Sequence, residues 1–145
     1  MKNILVINGP NLNMLGKRDT KQYGSLSLKE IEGMILKEAK KLKINVSFFQ
    51  SNDEGEIVSK IQQSENFDGI IINAGAYTHT SIAIRDALEI FGKPVIEVHL
   101  SNIFAREPFR HNSYISGVAV GVVAGFKEFS YIMALKALNQ ILDNQ

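Results

Sequence analysis

Apolar residues follow two alternating rhythms along this chain. Short unbroken runs such as Ile4-Leu5-Val6-Ile7, Ile70-Ile71-Ile72 and Val95-Ile96-Glu97-Val98 are too brief for helices and rich in β-branched side chains, as strands buried on both faces should be. Between them, apolar residues recur at helical spacing, as in Leu28, Ile31, Ile35, Ala39 and Leu42. This reading predicts strands over Asn3 to Asn8, Ile44 to Gln50, Asp68 to Asn73, Pro94 to Leu100 and Gly117 to Ala124. It also predicts four helices. The first opens at Ser27-Leu28-Lys29-Glu30, a capping box, and the second carries Ile57, Ile61 and Phe67. The third runs from about Thr80 to Phe91, ended by Gly92-Lys93-Pro94, and the last from about Lys127 to Asp143. Strand and helix in alternation imply βαβ units, whose right-handed crossovers favour a doubly wound parallel sheet. The expected architecture is a single α/β domain over residues 1–145 with strand order 2-1-3-4-5, which sets the first and third strands side by side at a switch point.

Polar residues then cluster where the strands run out, at the end of an open α/β sheet that forms its ligand crevice. Asn8-Gly9-Pro10-Asn11-Leu12-Asn13 follows the first strand and places three amides around a rigid turn, expected to face the crevice together. Asn73-Ala74-Gly75-Ala76-Tyr77-Thr78-His79 follows the third. Asn73 serves either as a ligand contact or as a local strand terminator, and Gly75 lets backbone approach a ligand closely. Thr78 and Thr80 read as caps of the next helix, whereas His79 is no favoured capping residue and is a candidate ligand contact. Glu97 and His99 lie two apart on one strand, hence on one face. Such a carboxylate orients an imidazole and favours its cation, as a general acid requires, although a purely structural pair would look the same. Arg106 and Arg110 form either a fork for a carboxylate or a solvated turn. The connection from Gly9 to Ser25 is far longer than the ~2–6 residues of an ordinary βα loop. Within it, glycines bracket a charged segment at about 16–24, expected to act as a lid.

Composition narrows the function classes. The 145 residues make one domain, and a net charge of +1 supplies no field for nucleic acid or an acidic membrane. There is no cysteine, so no disulfide framework and no thiolate chemistry, which fits a reducing cytoplasm. No signal-peptide core is expected at the N-terminus. His79, His99 and His111 lack compact ligand spacing, so a zinc site is not expected. No Gly-x-x-x-x-Gly-Lys-Ser/Thr, Gly-x-Gly-x-x-Gly or Gly-x-Ser-x-Gly pattern occurs, which leaves the common nucleotide and serine-hydrolase fingerprints unsupported.

Four motifs in order carry a further signal: Asn8-Gly9-Pro10-Asn11-Leu12-Asn13-Met14-Leu15-Gly16 with Arg18 and Tyr23, Asn73 to Ser81, Glu97-Val98-His99-Leu100-Ser101, and Arg106-Glu107-Pro108-Phe109-Arg110. Together they closely resemble the type II 3-dehydroquinate dehydratases over nearly the whole chain. Phe104 and Asn112 depart from the histidines common at those positions, both outside the family's catalytic set. The resemblance implies a flavodoxin-like sheet and cofactor-free, metal-free loss of water from 3-dehydroquinate to give 3-dehydroshikimate in the shikimate pathway. It implies Tyr23 as the base, Arg18 as the cation that activates it, and Asn11 as holder of a water against the enolate. His99 is then the acid, oriented by Glu97, and Asn73, Gly75, His79, Leu100, Ser101 and Arg110 contact substrate. Arg106 helps set the charge of the closed lid, and Asp86 comes from a neighbouring subunit in a dodecamer built of trimers. The alternative is a flavodoxin-like binding module, which the amides at Asn8 and Asn11 disfavour because a receiver would carry acids there.

Overall fold

Alternate residues of a strand point to opposite faces, and in β1 (Asn3–Asn8) both faces are apolar. Ile4 and Val6 enter one core while Leu5 and Ile7 enter the other, and all four are fully buried. The computed structural model, which describes Met1 to Gln145, pairs β1 in parallel with both β2 (Asn45–Gln50) and β3 (Gly69–Asn73). The sheet continues through β4 (Val95–His99) to β5 (Gly121–Ala124), in the order β2-β1-β3-β4-β5 that the crossover rules demand.

Four helices lie between these strands and a fifth follows the last: α1 (Thr20–Tyr23), α2 (Leu28–Leu42), α3 (Glu54–Gln62), α4 (Ile82–Phe91) and α5 (Phe129–Asp143). On one face, α2 and α5 bring Ile31, Ile35, Leu135 and Leu138 onto Ile4, Val6, Ile71, Ile96 and Val98. On the other, α3 and α4 bring Ile57, Ile61, Ile84 and Leu88 onto Leu5, Ile7, Ile70, Ile72 and Val95. Each such side chain contributes about 1.5–3 kcal/mol on burial, so packing rather than helix propensity holds these short helices in place. The capping box forms as read: Ser27 Oγ accepts from the Glu30 amide and Glu30 Oε1 from the Ser27 amide, both at 3.1 Å.

Three boundaries differ from the sequence reading. Helix α4 is capped by Ser81, whose Oγ accepts from the Ile84 amide at 2.9 Å, rather than by Thr78 or Thr80. The cause is a 3-10 turn over Gly75–His79 that takes up the residues expected to start the helix and buries Thr78. The last strand begins at Gly121, because Ser116–Val118 form another 3-10 turn in which the Ser116 hydroxyl is drawn to Glu97. Helix α5 begins at Phe129, since Lys127 has a left-handed φ of 52° that no helical residue adopts. Phe67 falls beyond α3 yet still packs against the core beneath it.

At the switch point, β1 and β3 end together, with Asn8 beside Asn73 in register. The loops that follow are pressed together: the Gly9 amide donates to the Asn73 carbonyl at 2.8 Å, and a Cβ on Gly9 would lie 2.4 Å from the Ala74 carbonyl oxygen. We predict that Gly9→Ala lowers the unfolding free energy by about 2 kcal/mol or more, as backbone overlap in a closed core does. Gly33→Ala, in α2 with open space around it, should instead raise stability by roughly 0.5–1 kcal/mol. Urea titrations of the two variants against wild type check both signs.

Candidate active site

The carboxyl ends of β1, β3 and β4 open onto a cleft of about 140 Å³. Of the residues singled out from sequence, Asn11, Arg18, Tyr23, Asn73, Gly75, His79, His99, Leu100, Ser101, Arg106 and Arg110 line it. Glu97 lies directly behind His99 and is buried. Asp86 is exposed on α4 and outside the cleft of its own chain. The three amides after β1 do not converge. Only Asn11, held at a left-handed φ of 69°, lines the cleft; Asn8 is buried beneath it, and Asn13 turns toward Gln50.

One wall of the cleft is cationic. Arg106 Nη1 donates to the Tyr23 phenol oxygen at 2.8 Å and to Ser101 Oγ at 3.1 Å. The Arg18 guanidinium lies over the face of the Tyr23 ring, 4.0 Å from its centroid, with Arg106 5.1 Å away on the same ring. A cation against the ring and another on the oxygen both stabilise negative charge on the phenol. Arg106 and Arg110 both turn toward Glu107: Arg110 Nε donates to Oε1 at 2.9 Å, and Arg106 Nε lies 3.8 Å from the same oxygen while its Nη1 holds Tyr23. Tyr23 sits on α1, within the segment bracketed by Gly16 and Gly24, both at positive φ (89° and 85°).

The opposite wall carries two stacked imidazoles, His79 and His99, with centroids 6.3 Å apart and planes 16° from parallel. His99 Nε2 donates to Glu97, which fixes the ring and leaves Nδ1 as the nitrogen without a protein partner. Burial opposes ionisation of Glu97, but hydrogen bonds from His99, Ser116 and Ser113 outweigh it and hold the carboxyl below its ordinary range. Ser113 Oγ reaches both carboxylate oxygens at 3.0 Å, and Ser116 Oγ reaches Oε1. His79 donates Nδ1–H to the Asn112 carbonyl at 2.8 Å, with Nε2 left as an acceptor. Burial pushes its imidazole below the usual value, against the pull of that carbonyl, so His79 is neutral at neutral pH.

Asn73 terminates its strand locally and also lines the cleft: its Oδ1 accepts from the Gly75 amide at 3.2 Å. The backbone amides of Leu100 and Ser101 have no protein acceptor, so they remain as donors at the end of β4. Sequence reasoning missed Ser113, Ser116 and the buried Tyr131 on α5, whose hydroxyl accepts from Asn73 Nδ2 at 3.0 Å. The stretch from Asn112 to Ser116 has no strand or helix rhythm. The available signal was Glu97 itself, since a carboxylate inside a fully apolar strand demands nearby donors.

The family described as dehydroquinase class II matches residues 2–139. The chain belongs to the class II dehydroquinase family. It is 55% identical over 143 residues to the 3-dehydroquinate dehydratase of Endomicrobium trichonymphae, covering 98% of this chain and 100% of that one. The corresponding protein of Caldicellulosiruptor saccharolyticus is 55% identical over 144 residues, with 98% and 99% covered. Among solved structures, the type II dehydroquinase of Butyrivibrio crossotus superposes with a TM-score of 0.93 at 48% identity, covering 95% of this chain and 97% of that one. Membership leaves the flavodoxin-like binding module without support. No helix is long and apolar enough to cross a membrane.

The Glu97 environment has a measurable consequence. A carboxyl whose folded pKa lies below its unfolded value contributes stability at neutral pH, and this is lost as pH falls through the folded value. Replacing both Ser113 and Ser116 by alanine raises the folded pKa of Glu97 and removes that contribution. We therefore predict that the double variant is less stable than wild type at pH 7. The gap should narrow as pH is lowered through the carboxylate range, which denaturant titrations at several pH values will show.

Proposed function

We propose that this protein is a 3-dehydroquinate dehydratase that eliminates water from 3-dehydroquinate to give 3-dehydroshikimate, a step of the shikimate pathway in the cytoplasm. The observation that carries the reading is the pairing of a phenol between two guanidiniums on one wall with a carboxylate-backed imidazole on the other. Elimination next to a ketone needs this arrangement: a base strong enough to take a proton from carbon, and an acid for the departing hydroxyl.

Tyr23, as phenolate, takes the proton alpha to the ketone. An ordinary tyrosine ionises only near pH ~10, so the phenolate depends on cations at the ring and the oxygen. Arg18 supplies the first and Arg106 the second. The electron pair of the broken C–H bond moves into the enolate, against which Asn11 holds a water. The enolate then re-forms the ketone and expels the hydroxyl, which takes the Nδ1 proton of His99 and leaves as water. Return of the proton from Tyr23 to His99 closes the cycle. Glu97 keeps the His99 cation oriented throughout, its own charge held by Ser113 and Ser116.

Asn73, Gly75, His79, Leu100, Ser101 and Arg110 bind the substrate. Neutral His79 offers an acceptor at Nε2 for a hydroxyl, and the Leu100 and Ser101 amides suit the carboxylate. The segment 16–24 closes over the cleft as a lid, hinged where Gly16 and Gly24 take positive φ. Asp86 enters the cleft of a neighbouring subunit, and the exposed Ile82 and Ile90 on the same helix support burial of that surface between copies in trimers that build a dodecamer.

The test is the ultraviolet absorbance of the enone formed from 3-dehydroquinate. Wild type should produce it in chelator-treated buffer and after borohydride treatment. Tyr23→Phe should lose at least about 10³-fold in kcat, the upper part of what one general base supplies, while still binding a substrate analogue. A variant retaining a tenth of the wild-type rate removes Tyr23 from the role of base. Arg106→Ala should lower kcat more than KM rises, because its hydrogen bond strengthens as charge develops on the phenol. Sedimentation velocity reads the assembly directly, with a monomer at micromolar concentration counting against the role of Asp86.

A further inference from the structure

The floor of the cleft contains a buried bridge that the elimination chemistry does not use. Asn8 and Asn73 end β1 and β3 in register on either side of the switch point. Tyr131, fully buried on α5, reaches both: its hydroxyl donates to Asn8 Oδ1 and accepts from Asn73 Nδ2 at 3.0 Å.

We propose that Tyr131 is a positioning residue that fixes the side-chain amide of Asn73 for substrate, acting through that amide rather than by contact with the substrate. The inference rests on the cleft being the dehydratase site.

An asparagine amide can be seated in two orientations that differ by exchange of its oxygen and nitrogen. At Asn73 both neighbours select the same one. The Gly75 amide donates to Oδ1 at 3.2 Å, so a reversed amide would set N–H against N–H. Tyr131 has given its only proton to Asn8 and can offer Asn73 nothing but an acceptor, so a reversed amide would set oxygen against oxygen. Burial pushes the Tyr131 phenol far above the ordinary tyrosine value, against the smaller opposing effect of the Asn73 hydrogen bond, and keeps that proton in place. One N–H and one lone pair of Asn73 remain uncommitted on a residue that faces the cleft. Their positions are set by groups behind the wall, where solvent does not compete. A phenylalanine at 131 preserves the ring but leaves Asn73 Nδ2 and Asn8 Oδ1 without this partner, in a region where Asn8 Nδ2 already has none.

A double-mutant cycle on the enone assay tests the assignment, with wild type, Tyr131→Phe, Asn73→Ala and the double variant compared at a temperature where circular dichroism shows all four folded. Tyr131→Phe should lower kcat/KM by about tenfold, the weight of one net hydrogen bond to a preorganised group. In the Asn73→Ala background the same change should cost less than about twofold, since the residue it acts through is gone. Equal factors in the two backgrounds, or no loss in the single variant, overturn the proposal, because a merely structural tyrosine acts alike in both. If Tyr131→Phe does not fold, the side-chain amide resonances of Asn73 in the wild type decide. Two inequivalent protons with one protected from solvent exchange support the bridge, and exchange as fast as in exposed asparagines overturns it. Wild type inactive on 3-dehydroquinate would remove the functional reading, while the amide resonances would still report on the bridge.

Discussion

The central constraint is topological. Strands β1 and β3 lie side by side, yet the chain leaves them toward opposite faces of the sheet, to α2 on one side and α4 on the other. Their following loops must part, and the sheet opens a crevice there without spending any core. Gly9 and Ala74 bring the loop backbones together just above the strand ends, and everything reactive is arranged around that point. Because the strands below are packed on both faces, the floor of the crevice is rigid.

Charge is distributed between the walls rather than pooled. Arg18 and Arg106 surround a phenol on one wall, and Glu97 backs an imidazole on the other. Had the cations and the carboxylate shared one wall, they would have satisfied each other. The separation costs the protein a buried carboxylate, and two serine hydroxyls and a histidine offset its desolvation. His79, stacked beside His99, is held toward its neutral form by burial.

Much of this was legible in the sequence because it rests on local rules. Unbroken aliphatic runs marked β1, β3 and β4, the capping box marked α2, and the handedness of crossovers set the order. The strand-end motifs brought eleven of the residues singled out to one cleft. What was missed depended on distant partners. That Arg106 rather than Arg18 meets the phenol oxygen follows from how α1 docks on the loop after β4, which no spacing encodes. Ser113 and Ser116 lie in a stretch whose conformation is dictated by Glu97 and by the Arg85 guanidinium, which donates to the Tyr114 carbonyl. Tyr131 was concealed by its helix, where a ring on the buried stripe reads as core, and its hydroxyl signified only once Asn8 and Asn73 were seen to flank it.

One short stretch serves as a common mount. Asn112 grips His79 through its carbonyl, Ser113 grips Glu97, and Tyr114 is anchored through its amide to the Thr78 carbonyl and through its carbonyl to Arg85. Three successive residues thus tie His79 and Glu97, and through Glu97 the His99 ring, to the same piece of backbone. Displacing that piece by a single residue would misalign both at once, so the chain has little freedom to vary its length there. The outer rim is built more loosely, with Phe104 and Phe109 projecting into solvent beside His111 and the Arg110 guanidinium.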